Sequence, residues 1–472
     1  MSESQRIAVI GGGLSGLSTA YYLHKARPDL RIILYEASTR PGGKIQTLRD
    51  DFTCESGPNG FLDSRTEILE LSRELGLEAR LLPANADSAR RFIFSCGTLH
   101  EIQPHPVKFM SSPLLSLKGK LRLAMEAVAP KPQGDDETLE EFGCRKLGRE
   151  AFERLIDPMA SGVYAGDPSR MSVKACFPRI YEMDRQYGSL TKALFAIKKE
   201  KRQAGEASSG PAGPGGLLTS FKNGLGEIIE ALHDQCGATL RLEMPVIAIE
   251  RDNDKFIVKT STCADRYDAV VCATPAWNTA SMVAGLHSPL ADKLQQIESS
   301  PINVIALAFN REELSGGDTH GFGFLVPGKE NRQILGCLWS SSIFKYRAPQ
   351  DAFLVQCMVG GARQHDLASL EDPELVKLVR EELKLSMGIE AEPIYSRVFR
   401  WSAGIPQYNM GHTQLVEELE ALCREEIQGF YLTGNSYRGI AVNDCVVDAQ
   451  RLAEEILATD KDSMETVNKA KK

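Results

Sequence analysis

The chain has 472 residues, 42% hydrophobic and 25% charged, a composition that excludes a collagenous or low-complexity chain and leaves room for two or three domains. Its net charge of −8 argues against nucleic acid as a partner, and its 11 cysteines, odd in number and without a C-x-x-C pair, exclude a disulfide framework or a zinc site and fit a reduced, cytoplasmic setting. The opening MSESQRIAVIGGG lacks the regions of a signal peptide, and no run approaches the roughly 18 apolar residues that span a bilayer.

In chain order, RIAVI (6–10) is an apolar, partly β-branched run and predicts a buried strand. A glycine loop follows, then a helix over LSGLSTAYYLHKA that ends before Pro28, then a second strand, RIILYE (31–36). This is a βαβ opening. Ile68, Leu71 and Leu75 recur at helical spacing within 63–77, and RFIFSCGTLHEI (91–102) predicts a hairpin around Gly97. Helical patterns dominate from about 107 to 200, with Thr138 and Glu141 placed as a capping box. AGEASSGPAGPGG (204–216) predicts a flexible insert. GLGEIIEALHDQCG then predicts a helix, TLRLEMPVIAIERDNDKFIVKTS a strand pair or meander, and YDAVVCATP (267–275) a buried strand. The last unit, FYLTGNSYRGIAVNDCVVDAQRLAEEIL, reads strand, loop, helix; the polar tail beyond Leu457 is expected to fray.

Gly11-x-Gly13-x-x-Gly16 lies between the first strand and the first helix, and Glu36 ends the second strand. In that context the glycines, with Gly12, Leu14 and Ser15, permit backbone to approach a pyrophosphate at a helix N-terminus, and the acid accepts ribose hydroxyls. A second loop follows Glu36 and Ala37: Arg40-Pro-Gly42-Gly43-Lys44. The combined E-x-x-x-R-x-G-G pattern resembles FAD-binding members of the amine oxidase-like superfamily and favours FAD, bound non-covalently, over NAD.

Four more stretches resemble the protoporphyrinogen oxidase branch: ESGPNGF from Glu55, SGVYAGD from Ser161, WSAGIPQY from Trp401, and GNSYRGIAVNDC from Gly434. The resemblance extends over nearly the whole chain. It implies an α/β fold with α+β elements: a Rossmann-like FAD-binding domain (1–85, 220–285 and 400–458), an inserted substrate-binding domain (86–105 and 286–399), and a mainly helical, membrane-facing domain (106–203). The insert 204–216 and a disordered tail 459–472 stand apart. The activity implied is oxygen-dependent oxidation of a porphyrinogen in haem biosynthesis, releasing hydrogen peroxide. AVNDC and GFGFLVP (321–327) stand closer to the protoporphyrinogen-type enzymes. Coproporphyrinogen III oxidase is the nearest alternative, with a flavin amine oxidase and a GDP-dissociation-inhibitor-like binding protein behind it. Homodimerisation and hand-over of product to ferrochelatase are implied by resemblance alone.

Residue by residue, the resemblance places Gly57, Pro58, Asn59 and Gly60 in the loop that reaches the flavin, Val246 at the adenine and Trp401 near the ring. Gly434, Asn435, Ile440, Ala441 and Val442 form the C-terminal half of the cradle. Lys44 stands beside the flavin where some members carry tryptophan. For the substrate, Arg91 is matched to a propionate, Gly162 to backbone near the reacting carbon, and Leu335 and Met358 to the walls around the macrocycle or to plain core. No catalytic acid–base pair stands out; His412 reads as structural and Asp444 as a helix cap. HPVKFMSSPLLSLKGKLRLAM (105–125) is either a basic, apolar membrane face, with Phe109, Met110, Leu114, Leu115 and Leu117 exposed beside Lys108, Lys118, Lys120 and Arg122, or a helix pair covering the protein's own core.

Overall fold

The computed structural model describes residues 4–103, 106–203, 216–314 and 319–470. Two sheets organise it. The first is parallel throughout, in the order Thr239–Arg241, Arg31–Tyr35, Arg6–Ile10, Ala269–Cys272, Phe430–Leu432. A parallel sheet is covered on both faces, so its strands are apolar runs without alternation. Ile7, Val9, Leu34 and Val271 pack on one side with Leu17 and Leu23 of the helix Leu14–Ala26 and Val446 and Leu452 of the last helix. Ala8, Ile10, Ile33 and Val270 pack on the other with Ile249, Ala280 and Leu419.

The second sheet has seven strands, in the order Tyr395–Pro406, Ser299–Asn310, Ala352–Gly360, Gly336–Leu338, Gly323–Leu325, Arg91–Ser95, Thr98–Glu101. It is antiparallel except where Gly323–Leu325 runs beside Arg91–Ser95. Phe92, Phe324, Cys337, Val355 and Cys357 point to one face, closed by Leu375, Val379 and Leu383 of the helix Asp372–Met387. Strand residues alternate between faces, so Arg91, Leu325, Leu338, Gln356, Met358 and Val304 belong to the opposite face. That face looks toward the Glu55–Ser56 segment and the helix Asp157–Tyr164.

Local signals held where they were local. The 91–102 hairpin forms with Cys96 and Gly97 at its turn, and Thr138 and Glu141 make a reciprocal capping box. Other expectations change. Thr239–Arg241 leaves the meander and joins the edge of the parallel sheet beside Ile33–Tyr35. The strand Tyr395–Pro406 crosses the boundary drawn at 399/400, because its whole length pairs with Ser299–Asn310. The helix Ser288–Leu294, placed with the substrate domain, buries Leu290, Ala291 and Leu294 in the core of the first sheet. The last helix runs Val442–Ala470, so most of the tail expected to fray continues as helix; that stretch has neither glycine nor proline to stop it. Residues 204–215 of the insert and 471–472 lie outside the described residues.

In the 105–125 stretch some apolar side chains are covered and others are exposed. Leu114 and Leu115 turn inward and Lys120 is buried, whereas Met110, Leu117 and Leu121 face outward. Arg122 donates to the Lys146 carbonyl (3.1 Å) and the Arg145 carbonyl (2.5 Å) at the end of a neighbouring helix, so it is not a free basic residue. Positions 104 and 105 lie outside the described residues.

Candidate functional site

The first strand ends in a loop that only glycine can form. Gly11 has φ +106°, and a Cβ there would sit 2.9 Å from the Ala273 carbonyl oxygen. At Gly16 a Cβ would lie 2.0 Å from the Gly11 oxygen, so its absence lets the helix dock on the loop. Gly13 differs: nothing stands within 4 Å of where its Cβ would be. That opening lies at the start of the helix Leu14–Ala26, whose N-cap Gly13 supplies no side chain and whose first turn holds no acid. Backbone N–H groups and the positive end of the helix dipole therefore face an open cradle, which fits a diphosphate.

Glu36 stands at the cradle's edge. Its Oε2 accepts from the Gly12 N–H (2.7 Å) and its Oε1 from the Ser38 N–H (2.8 Å). Each carboxylate oxygen keeps a further lone pair, as ribose hydroxyls require. Ala37 follows on the exposed side of this turn. The Met244 N–H donates to the Glu36 carbonyl (2.9 Å), bringing Val246 to the same end of the cradle.

The second glycine loop docks on the first. The Gly42 N–H donates to the Gly12 carbonyl (2.7 Å). Arg40 folds over this loop, donating to the Gly43 carbonyl (3.1 Å) and to Gln46 Oε1 (2.8 Å). Lys44 comes next, and burial pushes its ammonium pKa down to about 8. A third loop lies on Lys44: Ser56 Oγ donates to its carbonyl (3.3 Å), and a Cβ on Gly57 would come within 2.6 Å of that oxygen. Pro58, Asn59 and Gly60 continue this loop, half-buried, into the short strand Phe61–Leu62. Trp401 Nε1 donates to the Ser56 carbonyl (2.7 Å) from the edge of the seven-stranded sheet.

The GNSYRG loop closes the cradle from the C-terminal side. Gly434, at φ +114°, faces the first turn of the helix Leu14–Ala26, 3.7 Å from Ser15 Oγ at its would-be Cβ. Its N–H donates to Asp448 (3.3 Å), and the Asn435 carbonyl accepts from the Tyr408 hydroxyl (2.7 Å). Ile440 and Ala441 lead into the last helix, which starts at Val442.

The candidate substrate residues lie on or beside the face of the second sheet that carries Met358. Gly336 and Val304 each lie across from Met358, and the Leu335 N–H donates to the Met358 carbonyl (2.9 Å). Leu335 and Met358 are both half-buried, and neither belongs to a packed core cluster. Gly162 faces this sheet from the helix Asp157–Tyr164, where a Cβ would meet Leu325 Cδ2 at 2.5 Å. Arg91 lies at the end of its strand, exposed, with its guanidinium 4.8 Å from the Phe322 ring centre.

His412 and Asp444 hold structure. His412 stacks on Tyr408 at 4.0 Å and contacts the Tyr437 carbonyl, and burial pushes its pKa down to about 4. Asp444 accepts from the Ala441 N–H (3.2 Å) at the start of the last helix, and burial raises its pKa. Among the described residues no group of His, Cys, Asp and Glu could hold a metal.

A family model for flavin containing amine oxidoreductase matches residues 14–457. The chain belongs to that family. In this member of the family the cofactor is FAD, and the open diphosphate cradle with its ribose acid fits the dinucleotide. When bound, FAD supplies two-electron acceptance from a C–H donor; the chain's loops bind and orient it. The family assignment agrees with individual relatives. Protoporphyrinogen oxidase 1, chloroplastic, of Arabidopsis thaliana is 31% identical over 95% of this chain and 87% of its own. Coproporphyrinogen III oxidase of Staphylococcus aureus is 30% identical over 96% of this chain and 99% of its own. A crystal structure from Exiguobacterium sp. 255-15, a candidate protoporphyrinogen oxidase, superposes with a TM-score of 0.82 at 28% identity, covering 96% of this chain and 98% of that one.

Sequence reasoning missed two parts of this site. The helix bearing Gly162 is preceded by a π-helical segment, Phe152–Ile156, that packs against the strand Arg91–Ser95; π turns cluster at functional sites, but no local pattern marks one. Arg347 and Gln356, which grip the Glu55–Ser56 turn, lie about three hundred residues away from it in sequence.

Proposed function

We propose that this chain oxidises protoporphyrinogen IX to protoporphyrin IX. Three two-electron oxidations of the substrate would each reduce FAD, and one oxygen molecule per step, itself reduced to hydrogen peroxide, would reoxidise it. The Met358 face of the seven-stranded sheet carries the reading. Its alternating positions bring Leu325, Met358 and Val304 together as an apolar patch suited to one wall of a macrocycle slot, while Leu338 and Phe399 on the same face pack into neighbouring apolar clusters. At one end stands Arg91. Arg397, on the same face, lies toward the opposite end and is engaged by Asp50 at 3.7 Å. One open guanidinium beside an apolar wall suits a substrate with two propionates on one side. A substrate with four propionates calls for more cations.

Relatives named for both porphyrinogens support the reaction type. The full-length similarity to coproporphyrinogen III oxidase of Staphylococcus aureus keeps that substrate as the second reading. An aerobic assay with both porphyrinogens side by side, followed by porphyrin fluorescence, separates them. We expect protoporphyrinogen IX to give the higher kcat/KM; a clear preference for coproporphyrinogen III overturns the choice.

Peripheral membrane contact belongs to the same reading, since the product is apolar. No described helix is long and apolar enough to cross a membrane. Leu117 and Leu121 are 85% and 66% exposed one helical turn apart, and Met125, Val128 and Phe195 are exposed as well. The adjoining Lys118 is exposed too. Such a face fits insertion at a lipid headgroup boundary.

A further inference from the structure

Between the two sheets lies a buried polar cluster that the proposed reaction does not itself call for. Glu55 and Arg347 are 1% and 2% exposed at their side chains, and Arg347 Nη1 donates to Glu55 Oε1 at 2.5 Å. The same oxygen accepts from the Leu225 N–H (2.8 Å), and Oε2 accepts from Thr47 Oγ1 (2.7 Å). Arg347 Nη2 donates to Ser220 Oγ (3.1 Å). Gln356, also buried, donates from Nε2 to the backbone carbonyl of Glu55 (2.6 Å), while its Oε1 accepts from Ser340 Oγ (2.9 Å). Every carboxylate oxygen is satisfied, so the cluster has one arrangement rather than several.

The connections on either side of this cluster give it a direction. Gln356 lies on the strand Ala352–Gly360, two residues before Met358 and on the same face, the apolar wall. Glu55 immediately precedes Ser56, whose carbonyl takes the Trp401 bond, and Gly57, which abuts the Lys44 carbonyl. Lys44 follows Gly42 and Gly43, and Gly42 is bonded to Gly12 in the diphosphate loop. Unbroken contacts thus lead from the substrate wall through Gln356 and Glu55 to the loops that cradle the dinucleotide.

We propose that Glu55, Arg347 and Gln356 are positioning residues that set the Ser56–Gly60 loop against the flavin and hold it in register with the substrate wall. The inference rests on the FAD oxidase reading of the site. Gln356 fixes the loop through a backbone carbonyl, and the Arg347–Glu55 pair stops the loop from lifting away from the sheet. An ion pair with no such task is often replaceable by apolar side chains without loss. Here a small displacement at Gly57 would move backbone groups relative to a bound flavin, and misplacement on that scale costs rate far from the chemistry.

The test uses FAD-loaded Gln356→Leu, with Arg347→Lys and Arg347→Met as a graded pair. Val379→Ala, in the core on the far face of the sheet, controls for lost stability. We expect Gln356→Leu to keep FAD bound, shift the flavin midpoint potential and absorbance fine structure, and speed hydrogen exchange at the Ser56–Gly60 amides. Its kcat with porphyrinogen should fall about tenfold with KM little changed. Arg347→Lys should recover part of what Arg347→Met loses. Should Gln356→Leu match wild type in potential, spectrum and exchange, losing only the thermal stability that Val379→Ala loses, the cluster is structural and the proposal is overturned. If neither porphyrinogen is oxidised by wild type, the substrate reading fails, yet the potential and exchange measurements still decide the positioning role.

Discussion

At the scale of single residues, the account depends on what each group is given to do by its surroundings. Arg91 keeps its guanidinium exposed over Phe322 at the end of the apolar wall, where a propionate would need it. A charged hydrogen bond of that kind contributes about 1.5–3 kcal/mol. Arg91→Ala should therefore lower kcat/KM for porphyrinogen by about 10- to 100-fold while leaving FAD stoichiometrically bound; loss of FAD in that variant would show that Arg91 serves the cofactor instead. His412 gives a pH dependence. Burial holds its pKa near 4 in the fold, against about 6.5 when unfolded. The unfolded chain then binds the extra proton between these values, so this contribution is complete above about pH 6.5 and is lost as pH falls toward 4. The full loss is about 3 kcal/mol. His412→Phe should flatten the stability–pH curve in that window while keeping the stack on Tyr408; an unchanged slope in urea titrations from pH 4 to 6.5 would contradict the assignment. The glycine positions and Glu36 were legible in the sequence because their meaning lies in a short loop. Arg347 and Gln356 were not, because a buried partner is chosen by the fold and leaves no mark on neighbouring residues.

At the scale of elements, legibility followed the range of the forces involved. The strand 6–10, the helix 14–26 and the strand 31–35 follow from apolar runs and a glycine turn, all local. Thr239–Arg241 was misread because three residues show no choice between an antiparallel hairpin and the edge of a parallel sheet. The strand Tyr395–Pro406 crosses the boundary that the resemblance set at 400, because its partner Ser299–Asn310 lies about a hundred residues earlier and leaves no mark on the local sequence. In the helix Leu117–Ala124, periodicity shows that two faces differ and is silent about which one is covered. The structure exposes Leu117 and Leu121 and buries Lys120. Leu117→Glu with Leu121→Glu should change stability by no more than about 0.5 kcal/mol, since both side chains are at the surface. We expect the wild type to co-sediment with anionic phospholipid vesicles and the same double variant to lose that co-sedimentation. Equal co-sedimentation of the two proteins would remove this face from the account.

At the scale of the whole molecule, the chain joins a dinucleotide-binding sheet to an apolar sheet face, with the Lys44, Ser56 and Trp401 contacts where they meet. A dinucleotide laid from Gly13 along these loops would bring its ring end toward the face that carries Met358. No side-chain acid–base pair is needed if the reacting carbon gives its hydride to that ring, and the protein's work is then binding, orientation and exclusion of water. The most direct measurement is anaerobic mixing of the FAD-loaded protein with protoporphyrinogen IX, following the flavin band and porphyrin absorbance together. The account predicts that the flavin bleaches as porphyrin appears, and that admitting oxygen restores the flavin band with release of hydrogen peroxide. A flavin that stays oxidised in the presence of excess protoporphyrinogen IX would contradict it.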